Sequence, residues 1–472
     1  MNLRDNRRLN RTAAASLGAI TLLGALLRLL YVSSKSLSVD EGFSLHLAQT
    51  SSSEFFSTLW RSELNMTLYY ALLRCWSRLG ASEFSIRVLS VLFGVATIPV
   101  VFILAQRLFG RDTAVFSALL LALHPFHLSL SQAARGYALA ILLCSGSSLF
   151  FVRMLDEPTP WNSFVYALLS ALAIYSQFFA ALVIVAQWLS FPALRRSLPW
   201  KALLRSAAVF TILLIPLLLF LLHGVHSQIA WVQPLSREQV LSMIPALTLP
   251  NARSLAYVVL WISAAAAAVR LSKTSGEVWS FWFCASWLGV PFVFTVLLSL
   301  LQPAMVPRFL SISVPAAVLL AAAGLDFLLR TSRVTMTLLL AIALFFSVSA
   351  IRFYYRHRDL NEDWRTATAY VLANASDGDQ VVVLPAYARY TFDYYREGAL
   401  TNSPSVFVTS DPSHISGEKG IRNLWIVRSG FVKDNTEADA HIFASYCSRS
   451  EHDFAAVKVQ LLISCNDRAR DR

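Results

Sequence analysis

Long apolar runs, broken by short polar interruptions, fill the first three-quarters of the chain. Stretches at about 13–32, 84–106, 113–131, 134–152, 161–176, 177–194, 203–222, 254–269, 279–301, 309–329 and 334–350 each approach the length that crosses a bilayer as a helix. The pattern predicts eleven spanning helices. The pair at 161–194 is one long run divided near Tyr175–Gln177. Polar residues cluster densely at three other places. The segment 33–83 is a loop of about 50 residues with amphipathic stretches (EFFSTLW, LYYALLRCW) suited to a membrane interface. The segment 223–253 is a second large loop. From 351 onward the pattern changes to short elements. EDWRTATAYVLANA reads as a helix, DGD as a turn, and QVVVL, SVFVT, NLWIV and AAVKVQLLIS as strands. Residues 1–350 therefore read as a polytopic α-helical membrane unit, and residues 351–472 as a soluble α/β domain.

Composition agrees. Of the 472 residues 56% are hydrophobic and only 14% charged, with a mean hydropathy of +0.55. A soluble enzyme has no way to bury that much apolar sequence. A net charge of +12 would suit a nucleic-acid binder, but its distribution does not. Residues 1–350 carry 25 Lys/Arg and 12 Asp/Glu, whereas residues 351–472 carry 15 and 16. The basic excess belongs to the apolar part, so nucleic acid is not an expected partner.

The basic residues also orient the chain. With the N-terminus in the cytoplasm, the inner segments hold Arg4, Arg7, Arg8, Arg11, Arg107, Arg111, Arg153, Arg195, Arg196, Lys201, Arg205, Arg270, Lys273, Arg330 and Arg333, 15 of the 25. That satisfies the positive-inside rule and, with eleven spans, puts the C-terminal domain outside. The first apolar run lacks an A-x-A cleavage site and reads as an anchor. The expected location is the plasma (inner) membrane, multi-pass. Cys447 and Cys465 fall in the outer domain, open to pairing or to remaining free thiols.

Acids are scarce before 351. Asp40, Glu41, Glu54, Glu63, Glu83 and Glu238 remain for the outer face, and Asp40–Glu41 is the adjacent pair, in SLSVDEGFSLHLA. An outer-face carboxylate near the membrane suits a general base on an acceptor hydroxyl or amine. It also suits a divalent ion, or a helix N-cap at Asp40. Arg28 lies inside the first span, where a cation needs a partner: a lipid phosphate, Asp40, or headgroups reached by snorkelling. Arg135 in SQAARGYAL and Arg308 in QPAMVPRFL fall at outer turns, placed for bidentate phosphate binding or for headgroup contact. The pairs His124/His127 and His223/His226 lack a convergent third ligand, so no metal site is assigned. No nucleotide motif occurs.

Five blocks of the chain resemble the GT-C-type integral membrane glycosyltransferases, in the bacterial branch related to protein O-mannosyltransferases and the lipid A aminoarabinose transferase. They are the first span with Arg28 followed by SVDEGFSLHLA, the LYYALLRCW…ILAQRLFG block, SQAARGYAL, VPRFLSISVPAAVLLAAAGL and EDWRTATAYVLANASDGDQVVV. The resemblance implies a GT-C-like membrane fold and transfer of a sugar from a polyprenyl-phosphate carrier to a glycan, lipid or protein acceptor at the outer face, with inversion. It implies Asp40 as catalytic base with Glu41 beside it, and Arg28, Arg135 and Arg308 at the carrier phosphate. Tyr69 and Tyr137 are further candidates for donor or acceptor contact. No nucleotide cofactor is implied, and a divalent metal stays open. The chain departs from the family pattern at Asn65, Met66 and Thr67, where His-Pro-Pro is common, at Ala133 and at Gln177. The rivals are a lipid-linked sugar flippase or transporter, disfavoured by polar residues gathered at one face, and a non-catalytic scaffold for the C-terminal domain.

Overall fold

The computed structural model describes residues 3–61, 63–194, 197–223, 234–248, 255–274, 278–357, 362–398, 404–410, 423–430 and 446–465. Arg195, Arg196, His226, Glu277 and, in the 223–253 loop, residues 224–233 and 249–253 lie outside them. The chain divides into two compact units. The first comprises Met1–Leu30, Ser51–Trp76 and Arg87–Phe353, and the second Tyr31–Thr50, Ser77–Ile86 and Tyr354–Arg472. Two pieces of the first loop, grouped by the sequence pattern with the membrane part, thus pack with the C-terminal sheet.

Among the described residues, helix covers most of each of the eleven apolar stretches. Among the described residues, seven helices are long and apolar enough to cross a membrane, or eight if one bent pair is a single span. That pair is Arg111–Ala122 and Pro125–Ser131, bent by 59°. The break has a local cause. Pro125 lacks an N–H and disfavours helical geometry at His124, which instead caps the next turn. The helices Pro160–Ser176, Ala14–Leu29 and Phe178–Ala193 are shorter. Two helices form the centre: Tyr137–Asp156, whose apolar window is 83% buried, and Pro307–Thr331, at 78%. Trp200–Leu222 and Arg333–Arg356, at 22% each, show their apolar side chains outward, as lipid-facing helices do.

The second unit is built on one mixed sheet of order β2-β1-β3-β5-β4. Its strands are β1 (Gln380–Leu384), β2 (Phe407–Thr409), β3 (Asn423–Ser429), β4 (Tyr446–Phe454) and β5 (Val457–Ser464). β1 runs parallel to β2 and β3, and β5 antiparallel to β3 and β4. The sequence pattern locates β1, β2, β3 and β5 because their residues are continuously apolar or alternate. β4 was not predicted. As an edge strand, YCSRSEHDF has no second strand to cover it and is largely polar, with exposed positions along its length. A disulfide joins Cys447 on β4 to Cys465 just past β5, which settles the question the spacing left open. The core of this unit packs Trp364, Val371, Phe392, Trp425 and Val459 around Val39, the first residue of the helix Val39–Gln49.

Candidate functional site

The Asp40 helix is fixed from its N-terminus. Ser38 is the N-cap: its hydroxyl accepts from the Glu41 amide, while the Glu41 carboxylate accepts from the Ser38 amide at 3.0 Å. This capping box satisfies two of the amides that a helix start leaves orphaned. Its signature, Ser-x-x-Glu, was legible in the sequence. Glu41 is therefore buried and committed to holding the helix, and the N-cap considered for Asp40 belongs to Ser38. Asp40 sits half-buried in the first turn, where the helix dipole favours an anion.

A residue that sequence reasoning missed lies directly beneath. Glu362 is buried, and its Oε2 accepts from the Val39 amide at 2.9 Å while its Oε1 accepts from the Ser429 hydroxyl. Burial pushes its carboxyl above the usual range, the two hydrogen bonds oppose that, and the nearby Asp40 charge adds to it. Glu362 lies 323 positions from Val39, and so distant a partner leaves no local signal in the sequence.

The other contacts of the helix are also tight. A Cβ added at Gly42 would stand 2.0 Å from the Thr391 hydroxyl and 2.9 Å from the Thr391 Cα, so the two helices meet backbone to backbone. The His46 ring stacks on Tyr390 at 3.9 Å. The preceding loop is pinned by Tyr395, whose hydroxyl accepts from the Leu37 amide at 2.7 Å and donates to Glu83. Glu83 also pairs with Arg365. Burial, with the Glu83 carboxylate alongside, raises the Tyr395 phenol. Of the outer-face acids foreseen from sequence, Glu41 and Glu83 are thus structural.

In the membrane unit the three predicted arginines take different places. Arg28 is fully buried and all five of its N–H groups are used. Nη1 donates to the Gly24 and Ala122 carbonyls at 3.0 and 3.1 Å, Nη2 to the Leu121 carbonyl at 3.2 Å and to His127 Nδ1 at 2.7 Å, and Nε to Ser131 at 3.3 Å. The guanidinium ties the first helix to the break at His124, joining the His124 N–H as a second donor to the Leu121 carbonyl. A carrier phosphate has no donor left to engage there, so Arg28 is removed from the proposed site on this geometry.

Arg135 and Arg308, both half-buried, converge on one turn. Arg135 donates to the Tyr70 hydroxyl at 3.0 Å. Gly136 packs against the Ser176 carbonyl and Met66, closely enough that an added Cβ would lie 2.9 Å from that oxygen. Gln177 donates to the Phe309 carbonyl at 3.1 Å, beside Arg308, and the Phe178 amide donates to Asn65 at 3.2 Å. Asn65 and Gln177, two of the departures from the family pattern, thus stitch the Arg135 and Arg308 segments together. Tyr70, which was not among the candidates, meets Arg135. Tyr69 faces Ser90, its hydroxyl 3.0 Å away and fully buried. Tyr137 is buried at the start of its helix.

The residues present do not make a strong ion site. Among the described residues no three His, Cys, Asp or Glu side chains come together. Glu41 is turned to its cap, so the acidic pair offers a divalent ion one carboxylate rather than two.

Comparison with known proteins gives the fold. The sequence profile of the family described as dolichyl-phosphate-mannose-protein mannosyltransferase matches residues 67–226. A search of curated protein sequences returned no match. Among solved structures, ArnT from Cupriavidus metallidurans bound to undecaprenyl phosphate aligns over 95% of this chain and 97% of its own, with a TM-score of 0.60 at 14% identity. Its apo form aligns over 95% and 98%, with a TM-score of 0.63 at 13% identity. The arabinofuranosyltransferase AftD from Mycobacteria aligns over 97% of this chain and 40% of its own, with a TM-score of 0.52 at 16% identity. The chain has the GT-C fold of membrane glycosyltransferases, with a small C-terminal sheet domain.

Proposed function

We propose that this chain is an integral membrane glycosyltransferase that moves a sugar from a polyprenyl-phosphate carrier to an acceptor at the outer face of the membrane. The observation that carries the reading is the chain-long likeness to ArnT, a protein solved with undecaprenyl phosphate bound. The acceptor is a glycan, lipid or protein. The C-terminal domain lies outside the cytoplasm, a placement supported by the Cys447–Cys465 disulfide, since such bonds persist in oxidising compartments. The basic inner loops support an N-in orientation.

Asp40 is the general base. It removes the proton from the acceptor hydroxyl or amine as that atom attacks the anomeric carbon, and the carrier phosphate leaves from the opposite face with inversion. The phosphate gains charge as the glycosidic bond breaks, and Arg135 and Arg308 stabilise it there. Glu362 and Glu41 hold the Asp40 helix start in place. The test is transfer in proteoliposomes supplied with polyprenyl-phosphate sugars, comparing wild type with Asp40→Asn. Loss of transfer in a variant that folds and inserts normally supports the reading. Equal transfer by both removes Asp40 as base, and no turnover with any sugar carrier removes the enzymatic reading.

A further inference from the structure

The apolar run from Pro160 to Leu189 is helical on both sides of a break at Gln177. The helix Pro160–Ser176 stops there, Gln177 is extended, and the short turn Phe178–Ala180 leads into the helix Ala181–Leu189. In an unbroken helix the Phe178 amide would donate to Ile174, and the Ser176 carbonyl would accept from Ala180. Here Phe178 donates to Asn65 at 3.2 Å, and Ala180 donates to the Gln177 carbonyl. The Ser176 carbonyl instead lies against Gly136, the neighbour of Arg135, where an added Cβ would stand 2.9 Å from it.

The same break holds the other arginine. Gln177 is buried, and its Nε2 donates to the Phe309 carbonyl at 3.1 Å and to the Arg308 carbonyl at 3.4 Å. The Phe179 ring meets the Phe309 ring at 5.0 Å. Arg308 belongs to the short turn Pro307–Ser313, whose far end is held by Trp287, with Nε1 donating to the Ile312 carbonyl at 2.9 Å. At the Arg308 end the break supplies an amide and a ring. Four consecutive residues, Ser176 to Phe179, therefore grip both segments that carry an arginine proposed for the phosphate.

We propose that this break is a clamp that sets the direction of Arg135 and Arg308, and that Gln177 is a positioning residue for the carrier phosphate. The inference rests on the proposed transfer reaction and on those two arginines receiving the phosphate. Gln177 acts through the backbone of Arg308 rather than on the carrier itself. A guanidinium lies at the end of a long side chain, so a small rotation of its backbone moves the donor fork by more. Bidentate phosphate binding needs both donors aligned, and a misplacement of about 1 Å is enough to weaken it. A carboxamide suits the task. It offers two N–H groups to two consecutive carbonyls and brings no charge to compete for the phosphate.

The experiment compares Gln177→Met with Gln187→Met in proteoliposomes, with a polyprenyl-phosphate sugar varied at fixed acceptor. Gln187 is the control for loss of a buried amide as such. It lies further along, in the helix Ala181–Leu189, accepts from the Tyr166 hydroxyl at 2.8 Å and donates to Ser147 and Ser148 at 3.3 and 3.2 Å. Gln177→Met raises the donor KM about fivefold, the worth of one hydrogen bond, while kcat changes less. Gln187→Met lowers the melting temperature and leaves the donor KM unchanged. If Gln177→Met fails to fold, Gly136→Ala decides, because its methyl group presses on the Ser176 carbonyl from the Arg135 side and raises the donor KM in the same way. An unchanged donor KM in the deciding variant, or an equal rise in Gln187→Met, overturns the inference and leaves the transfer reaction standing. A wild type that turns over no polyprenyl-phosphate sugar overturns both.

Discussion

Glu362 Oε2 accepts the backbone N–H of Val39 at 2.9 Å, one residue before the acid proposed as catalytic base. A buried carboxylate so placed does two things. It satisfies an orphaned amide at a helix start, and it adds a negative charge below Asp40. Because its folded-state pKa is raised above the ordinary 4.5, its ionisation opposes folding. Stability from this group is present below the ordinary value and falls as pH rises through the raised one. Glu362→Gln keeps an oxygen for Val39 and an amide donor for Ser429 but cannot ionise. Thermal unfolding of the two proteins, followed from about pH 4 to about pH 8, will show wild type losing stability relative to Glu362→Gln as pH rises. A constant difference between the two would refute the assignment.

Arg28→Met will fail as a fold rather than as a binder. It takes the Arg28 donors from the Ala122 carbonyl and His127 Nδ1 inside the membrane unit, and a second donor from the Leu121 carbonyl, which keeps the His124 N–H. Hydrogen bonds to a charged donor contribute roughly 1.5–3 kcal/mol each, so the loss amounts to about 3 kcal/mol or more. The measurement is the apparent melting temperature of purified protein and its yield after extraction. A stable Arg28→Met with raised carrier KM would restore Arg28 to the phosphate site.

How much of this was legible beforehand depends on whether the cause of a feature is local. The apolar stretches are local, and among the described residues each is helical over most of its length. So is the Ser38–Glu41 box, which shows as a three-residue Ser-to-Glu spacing in SLSVDE. The bend at His124 was legible too, from Pro125 inside an apolar run. Glu362, Tyr70 and the role of Arg28 were not. Each is defined by a partner at least 65 positions away, and a sequence records such a partner only after the helices are packed. β4 was invisible for another reason: an edge strand buries too little to need an apolar pattern.

Gly42→Ala will loosen the Asp40 helix from the helix Arg389–Glu397. The added methyl meets the Thr391 side chain and its Cα, and the Cα has no rotamer by which to move away. Overpacking of this kind costs about 1–3 kcal/mol. Limited proteolysis is the readout, with cleavage near residues 36–50 expected to accelerate in the variant. Thr391→Ala combined with it will recover only part of the loss, since the backbone contact remains.

Reduction of Cys447–Cys465 will destabilise the sheet. The bridge closes a loop with a sequence separation of 18, for which chain entropy gives about 3 kcal/mol. Cys447→Ser should lower the unfolding temperature in oxidising buffer and abolish the shift caused by dithiothreitol. Labelling of reduced thiols in intact cells by a membrane-impermeant maleimide tests the outer placement at the same time. Protection of both thiols until the cells are lysed would reverse the proposed orientation.

Tyr70 and Tyr69 give the sharpest contrast, because they are neighbours with different partners. Tyr70 accepts from Arg135 and so fixes the direction of its guanidinium. Tyr70→Phe frees that arginine without removing its charge. If Arg135 receives the carrier phosphate, the donor KM rises by about tenfold, the worth of one charge-assisted hydrogen bond, while kcat changes less. Tyr69→Phe removes a hydroxyl paired with Ser90 in the interior. It should cost about 1 kcal/mol of stability and leave KM unchanged. Both constants are read from initial rates with a polyprenyl-phosphate sugar varied at fixed acceptor. The reverse pattern, a KM effect at Tyr69 alone, would shift the phosphate site from the Arg135 turn toward Ser90.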